Sequence, residues 1–114
     1  MDAIFVELPL FRERRHSYLD DDEYRALQND LLANPEMGDV IRHTGGLRKM
    51  RHRDTRRQKG KRGGLRVIYY YWSGGAQFWM FFIYDKDEMV DLTSQEAKAL
   101  GTMLKAEIDW RTRK

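Results

Sequence analysis

Between positions 49 and 66 the chain places Lys49, Arg51, Lys59, Lys61, Arg62 and Arg66. Cations in this number point to phosphate chemistry. A guanidinium grips two phosphate oxygens with its planar fork, and an ammonium acts as a movable point charge. Cleavage of an RNA phosphodiester needs a base for the 2′-OH, positive charge at the phosphate, and an acid for the departing 5′-oxygen. Lysine can be that base only if its pKa falls, and neighbouring cations push it down. The cluster therefore has the parts for phosphate binding and, with a depressed lysine, for cleavage. Taken alone it fits binding without chemistry better than catalysis, because a basic run is an unspecific signature.

The rest of the chain sharpens this by contrast. Residues 42–66 hold eleven Lys/Arg and one acid, Asp54, whereas residues 1–41 hold four Lys/Arg against ten Asp/Glu. The net charge is only +3, so one segment carries a concentrated positive field over an acidic remainder. There is no cysteine, which removes disulfides, thiolate metal sites and cysteine nucleophiles and suits a reducing compartment. Met1-Asp2-Ala3 lacks the basic flank and apolar run of a signal peptide. The longest apolar stretch, Phe78 to Tyr84, is far too short to span a bilayer. The expectation is one domain over residues 1–114, cytoplasmic, with no membrane partner.

Other chemistry-bearing groups read as structural. His16, His43 and His52 lack metal-ligand spacing; His52 alone lies in the basic segment, where it is a candidate acid. Asp85, Asp87, Glu88 and Asp91 fit a turn and a helix start better than a metal site. Gly63-Gly64 precede a strand rather than a helix, which excludes a P-loop. Tyr69, Tyr70, Tyr71, Trp72 and Trp79 read mainly as core. No metal and no cofactor are expected.

The elements that must position the cations follow from periodicity. Residues 3–8 read as a strand, and Pro9 suits the first position of a helix ending near Tyr18. Asp20 and Glu23 have capping-box spacing ahead of a helix with Tyr24, Leu27, Leu31 and Leu32 on one face, ended by Asn34-Pro35. Residues 36–46 read as loop. Residues 47–53 read as a strand whose alternation sets Leu47, Lys49, Arg51 and Arg53 on one face and Arg48, Met50 and His52 on the other. A mobile basic loop over 54–64 leads to an apolar strand, 65–72, a turn at 73–76 and a returning strand, 77–84. Both strands are apolar on both faces and are expected at the centre of the sheet. Thr93 and Glu96 then cap a last helix, about 94–111. The order β-α-α-β-β-β-α gives an α+β domain with a mainly antiparallel sheet packed by helices.

Four runs, N-P-E-M-G-D-V-I (34–41), G-G-L-R-K-M-R (45–51), K-G-K-R-G-G-L-R-V-I-Y-Y-Y (59–71) and I-Y-D-K-D-E-M-V-D-L (83–92), resemble HigB toxins of the RelE superfamily. The likeness covers nearly the whole chain in order. It implies a RelE-like fold and a type II toxin, an mRNA interferase that cuts messenger RNA on the ribosome. The implied reaction is metal-free attack by the 2′-OH, leaving a 2′,3′-cyclic phosphate. The implied partners are the ribosome, mRNA and a cognate antitoxin of the helix-turn-helix DNA-binding kind. Carried over by position, the catalytic set is Lys49, Arg51, Arg66, Tyr84 and Lys86. Arg66 clamps the scissile phosphate, Lys86 stabilises charge or donates the final proton, and Tyr84 stacks on a base or assists proton transfer. Arg48, Arg53, Arg56, Arg57, Lys59, Lys61 and Arg62 are expected to hold RNA or ribosome. The chain departs from RelE in lacking a Tyr just after the last basic residue and in its longer basic loop, which leaves the general base unassigned. A binding module without catalysis on the same fold is the alternative.

Overall fold

The computed structural model describes residues 2–53, 64–89 and 91–113. Strand β1 (Ile4–Glu7) leads into helices α1 (Pro9–Tyr18) and α2 (Asp21–Ala33). Strands β2 (Asp39–Val40), β3 (Arg48–His52), β4 (Leu65–Trp72) and β5 (Gln77–Asp85) follow, then helix α3 (Ser94–Thr112). The sheet order is β1-β5-β4-β3-β2, with β1 parallel to β5 and every other pairing antiparallel. The mixed α+β architecture agrees with the expected one, with one strand added.

Local chemistry explains the boundaries. Helix α1 begins at Pro9, whose missing N–H and fixed φ cost nothing at a first helical position. Asp20 accepts a hydrogen bond from the Glu23 amide at 2.8 Å while the Glu23 carboxylate accepts from the Asp20 amide at 2.9 Å. Thr93 and Glu96 repeat the device at 3.0 and 2.8 Å. Each box satisfies helix N–H groups that have no partner within the helix.

The sheet buries both faces, as the two-sided apolar strands require. Phe11 from α1 and Tyr24, Leu27 and Leu31 from α2 pack on Met50, Val67, Tyr69, Phe78, Met80 and Ile83. On the other face Leu100 and Leu104 of α3 pack on Leu47, Ile68, Trp79, Phe81 and Tyr84. Side chains this deeply buried each contribute about 1.5–3 kcal/mol.

Three details differ from the sequence reading or lie beyond it. Residues 39–40, expected in a loop, form the edge strand β2, pairing Asp39 with Lys49 and Val40 with Arg48. The preceding segment is pinned by the Tyr69 hydroxyl, which donates to the Pro35 carbonyl at 2.7 Å and accepts from the Gly38 amide at 3.1 Å. The β4–β5 register jumps from Ile68–Phe82 to Tyr69–Met80, a bulge that inserts one residue into β5. The basic loop expected at 54–64 falls, except for Gly64, outside the described residues. Among the described residues no helix is long and apolar enough to cross a membrane.

Candidate functional site

Alternation along β3 turns Lys49 and Arg51 toward the α3 side of the sheet. On β4, Arg66 is the cross-strand partner of Arg51, and Ile68 that of Lys49. On β5, Tyr84 stands opposite Arg66. The bulge matters here. Strict alternation along β5 would put Tyr84 with Phe78 and Met80 on the other face, but the extra residue inverts the parity beyond it. Lys49, Arg51 and Arg66 thus line one cavity of about 530 Å³, together with Met37, Asp39 and Asp91. A larger depression of about 710 Å³ shares Asp39, Lys49 and Asp91 and runs on past Arg42 and Lys98 at the start of α3.

Two of the three cations, Lys49 and Arg66, are held rather than loose. The Lys49 ammonium donates to Asp91 at 2.8 Å. That hydrogen bond, with the Leu92 amide and the nearby Arg66 guanidinium, keeps the Asp91 carboxyl below the usual range despite some desolvation. Arg66 is only 8% exposed, and its guanidinium donates to the Leu65 carbonyl at 3.5 Å. Gly64 delivers the chain into β4 at φ +74°, and a Cβ there would lie 2.6 Å from the His52 carbonyl oxygen.

Tyr84 does not have the expected role of a stacking platform. Its ring is fully buried and packs beside Phe82 with centroids 5.9 Å apart, which leaves no face for a base. Its hydroxyl is buried with no hydrogen-bond partner among the described residues. Burial, reinforced by Asp91, pushes the phenol up to about 12, so it keeps its proton at neutral pH.

The other expected residues are spread more widely. Arg48 points to the opposite face of β3, where it donates to the Gly38 carbonyl at 2.7 Å and lies 3.6 Å from the Glu36 carboxylate. Arg53 is exposed just beyond β3. Lys86 is exposed one residue past β5 and does not line the cavity; its amide donates to the Gly64 carbonyl at 3.4 Å. The turn carrying it is tied to α1 through Glu88, which accepts from Arg14 at 3.0 Å and from Tyr18. Arg56, Arg57, Lys59, Lys61 and Arg62 lie outside the described residues. His52, the candidate acid, shares the Arg48 face. Its Nδ1 lies 3.8 Å from the Asp30 carboxylate, and burial pulls its pKa below the ordinary value. Among the described residues no group of three or more His, Cys, Asp or Glu is placed to hold a metal ion.

Sequence reasoning missed the two carboxylates in the cavity. Asp91 read as part of a helix approach, and Asp39 sat in an assumed loop. Nothing in their local pattern marks them; β2 pairing and the β5–α3 connection bring them in.

No family model matches the chain. The fold is similar to that of a solved structure of E. coli toxin RelE, a double arginine-to-alanine mutant in the free state. The TM-score is 0.55 at 13% sequence identity, over 91% of this chain and 98% of that chain. The architecture is therefore a RelE-like fold.

Proposed function

We propose that this chain, acting as one domain of residues 1–114, is the toxin of a type II toxin–antitoxin pair. In this reading it is a HigB-like endoribonuclease that inhibits translation by cutting mRNA on the ribosome. The observation that carries it is the convergence of Lys49, Arg51 and Arg66 around one cavity on a RelE-like sheet. Three cations on two rigid strands suit a scissile phosphate, which gains charge as the 2′-oxygen attacks. Arg66, held by its burial, is the clamp; Lys49 and Arg51 neutralise the non-bridging oxygens. The 2′-OH proton needs an acceptor. Tyr84 keeps its proton, and of the two carboxylates in the cavity Asp91 is the one bonded to Lys49 and held below the usual range, so in this reading it is the acceptor. Lys86, exposed on the loop after β5, donates to the leaving 5′-oxygen once RNA is seated. The ribosome supplies RNA alignment that so open a cavity lacks. The partners are mRNA, the ribosome and a helix-turn-helix antitoxin, in the cytoplasm, and the chemistry uses no metal.

A second reading is a ribosome- or RNA-binding module without catalysis. The Lys49–Asp91 pair favours it, because a carboxylate that accepts a hydrogen bond from an ammonium and is held below the usual range is a weak base. The test is cleavage of a programmed mRNA by purified protein, with and without ribosomes and with EDTA in the free-RNA arm. Cuts that require ribosomes and vanish in Arg66→Ala support the toxin. A folded, ribosome-bound protein that cuts in neither arm supports the binding module.

A further inference from the structure

The cationic cavity opens into a longer feature. Asp39, Lys49 and Asp91 line both the cavity and the depression of about 710 Å³ between β2 and the start of α3. That depression shares His43 and Lys98 with a further one, of about 380 Å³, that follows α3 as far as Lys105 and Ile108. The first and last hollows share no lining residue, so the three lie in a row, as one groove between α3 and the connection from β2 to β3.

Local structure fixes both walls. The Thr44 hydroxyl donates to the Ile41 carbonyl at 2.7 Å and accepts from the Leu47 amide at 3.1 Å, which holds the connection in shape. His43 turns the chain at φ +64°, a conformation that histidine adopts more readily than most residues. Gly101 lets α3 come close: a Cβ there would lie 3.0 Å from the Thr44 Cα and 3.3 Å from the His43 carbonyl oxygen. Lys98, Thr102 and Lys105 follow at i, i+4 and i+7, so they share the helix flank that borders the groove.

Charge is sorted along this flank. Arg42, Lys98 and Lys105 are exposed, and none of them makes an ion pair among the described residues. The acids of α3 are engaged elsewhere: Glu96 accepts from the Thr93 amide at 2.8 Å, and Glu107 accepts from Arg111 at 2.8 Å. The carboxylates that do line the groove, Asp39 and Asp91, stand at the end that joins the cavity. Between the cations the lining is apolar, with Val40, Ile41, Leu92 and Ala97; Val40 is 53% exposed.

We propose that this groove holds the stretch of messenger strand next to the scissile phosphate. This rests on the proposed function, which seats that phosphate among Lys49, Arg51 and Arg66. A strand seated there has to leave the cavity, and the groove offers it a path of unneutralised cations. Arg42 and Lys98 take the phosphate of a flanking nucleotide, whose sugar and base lie over the apolar lining. Lys105, two turns and about 10 Å further along α3, takes another. Contacts of this kind position the strand and carry no sequence information, so the groove adds affinity without choosing bases.

Fluorescence anisotropy with two labelled RNAs tests it, both 2′-deoxy at the cleavage position: one only long enough to fill the cavity, the other extended on both sides. The variant is Arg42→Ala/Lys98→Ala/Lys105→Ala, three exposed positions whose replacement should leave circular dichroism and melting unchanged. It should bind the long RNA about thirtyfold more weakly, from three solvated contacts of about threefold each, and the short RNA as before. The slope of log affinity against log salt for the long RNA should fall by about 2, since each phosphate contact on a single strand contributes about 0.7. Unchanged binding of the long RNA overturns the inference, including the case in which the variant loses only ribosome binding or only a poly-glutamate peptide. Equal weakening of both RNAs also overturns it, because a general field and not a flanking site would then be at work. Failure of the proposed function reads differently: Arg66→Ala would weaken neither RNA, or the wild-type chain would bind RNA and never cut it.

Discussion

Replacing Asp91 with Asn tests how the cavity is kept ready for phosphate. Asp91 is the carboxylate that bonds Lys49 and faces Arg66. The pair is solvated, with side chains 29% and 61% exposed, so its loss should cost stability no more than about 1 kcal/mol. In a chain of this size that lowers the melting temperature by about 5 °C or less. The effect on RNA has the opposite sign. A phosphate seated among Lys49, Arg51 and Arg66 lies about 5 Å from the carboxylate, and two unit charges at that distance repel by about 0.8 kcal/mol at the dielectric of water. Partial burial raises this somewhat, so Asp91→Asn should bind RNA about fourfold to tenfold more tightly. Fluorescence anisotropy measures it, using a labelled oligonucleotide with 2′-deoxy substitution at the cleavage position, at low salt where screening is weak. On the proposed mechanism, ribosome-dependent cleavage should nevertheless fall, because Asp91 is its proton acceptor. Binding that is unchanged or weaker in the variant would refute the placement of phosphate beside Asp91. Tighter binding with full cleavage would refute Asp91 as the acceptor.

Other consequences are open to simple measurements. Tyr84→Phe removes a buried hydroxyl with no described partner, so it should raise stability by about 1 kcal/mol in chemical denaturation while leaving ribosome binding intact; a loss of stability would show that the hydroxyl is bonded. Gly64→Ala forces a Cβ to 2.6 Å from the His52 carbonyl oxygen at φ +74° and should cost about 2 kcal/mol or more, with a matching loss of cleavage as β4 shifts Arg66; a neutral result would mean that the strand entry tolerates movement. His52 has its pKa lowered by burial, so the folded state disfavours its charged form. The stability this gives is complete above the unfolded pKa of 6.5 and is lost as pH falls below it toward the folded value. Melting temperature should therefore drop between pH 7 and 5, and His52→Phe should flatten that part of the profile.

Much of the architecture was legible because its determinants are local. Capping boxes at Asp20 and Thr93 fix helix starts through side chains within three residues of each other. The parity of β3 follows from alternation, and it separates Lys49 and Arg51 from Arg48 and His52 without further information. Strand β2 was hidden because its pairing is through the backbone and both side chains are exposed, leaving no apolar pattern to read. The bulge in β5 was hidden for a related reason. The run from Phe78 to Tyr84 is apolar on both faces, so shifting its parity changes no visible pattern, yet that shift decides which face receives Tyr84. Asp91 entered the cavity through tertiary placement alone. Arg48 shows the limit from the other side. Its charge suggested RNA, but its strand position commits it to Glu36 and Gly38.

The carboxylates balance the charge of this cavity. Lys49, Arg51 and Arg66 on adjacent strands repel one another, and a partly desolvated cluster of like charge would drive neutralisation or local opening. Asp39 on β2 and Asp91 in the connection from β5 to α3 offset that repulsion. Their solvated positions make the offset shallow, since an exposed ion pair is worth little and is easily exchanged. On the proposed function, a phosphate can then take over the role of the Asp91 carboxylate toward Lys49 without breaking a strong interaction. Arg66, fixed by burial on β4, stays in place throughout. On this logic the rigid cation sets where the phosphate sits, and the displaceable pair sets how readily it enters. Arg66→Ala should then impair cleavage far more than Lys49→Ala impairs entry of RNA.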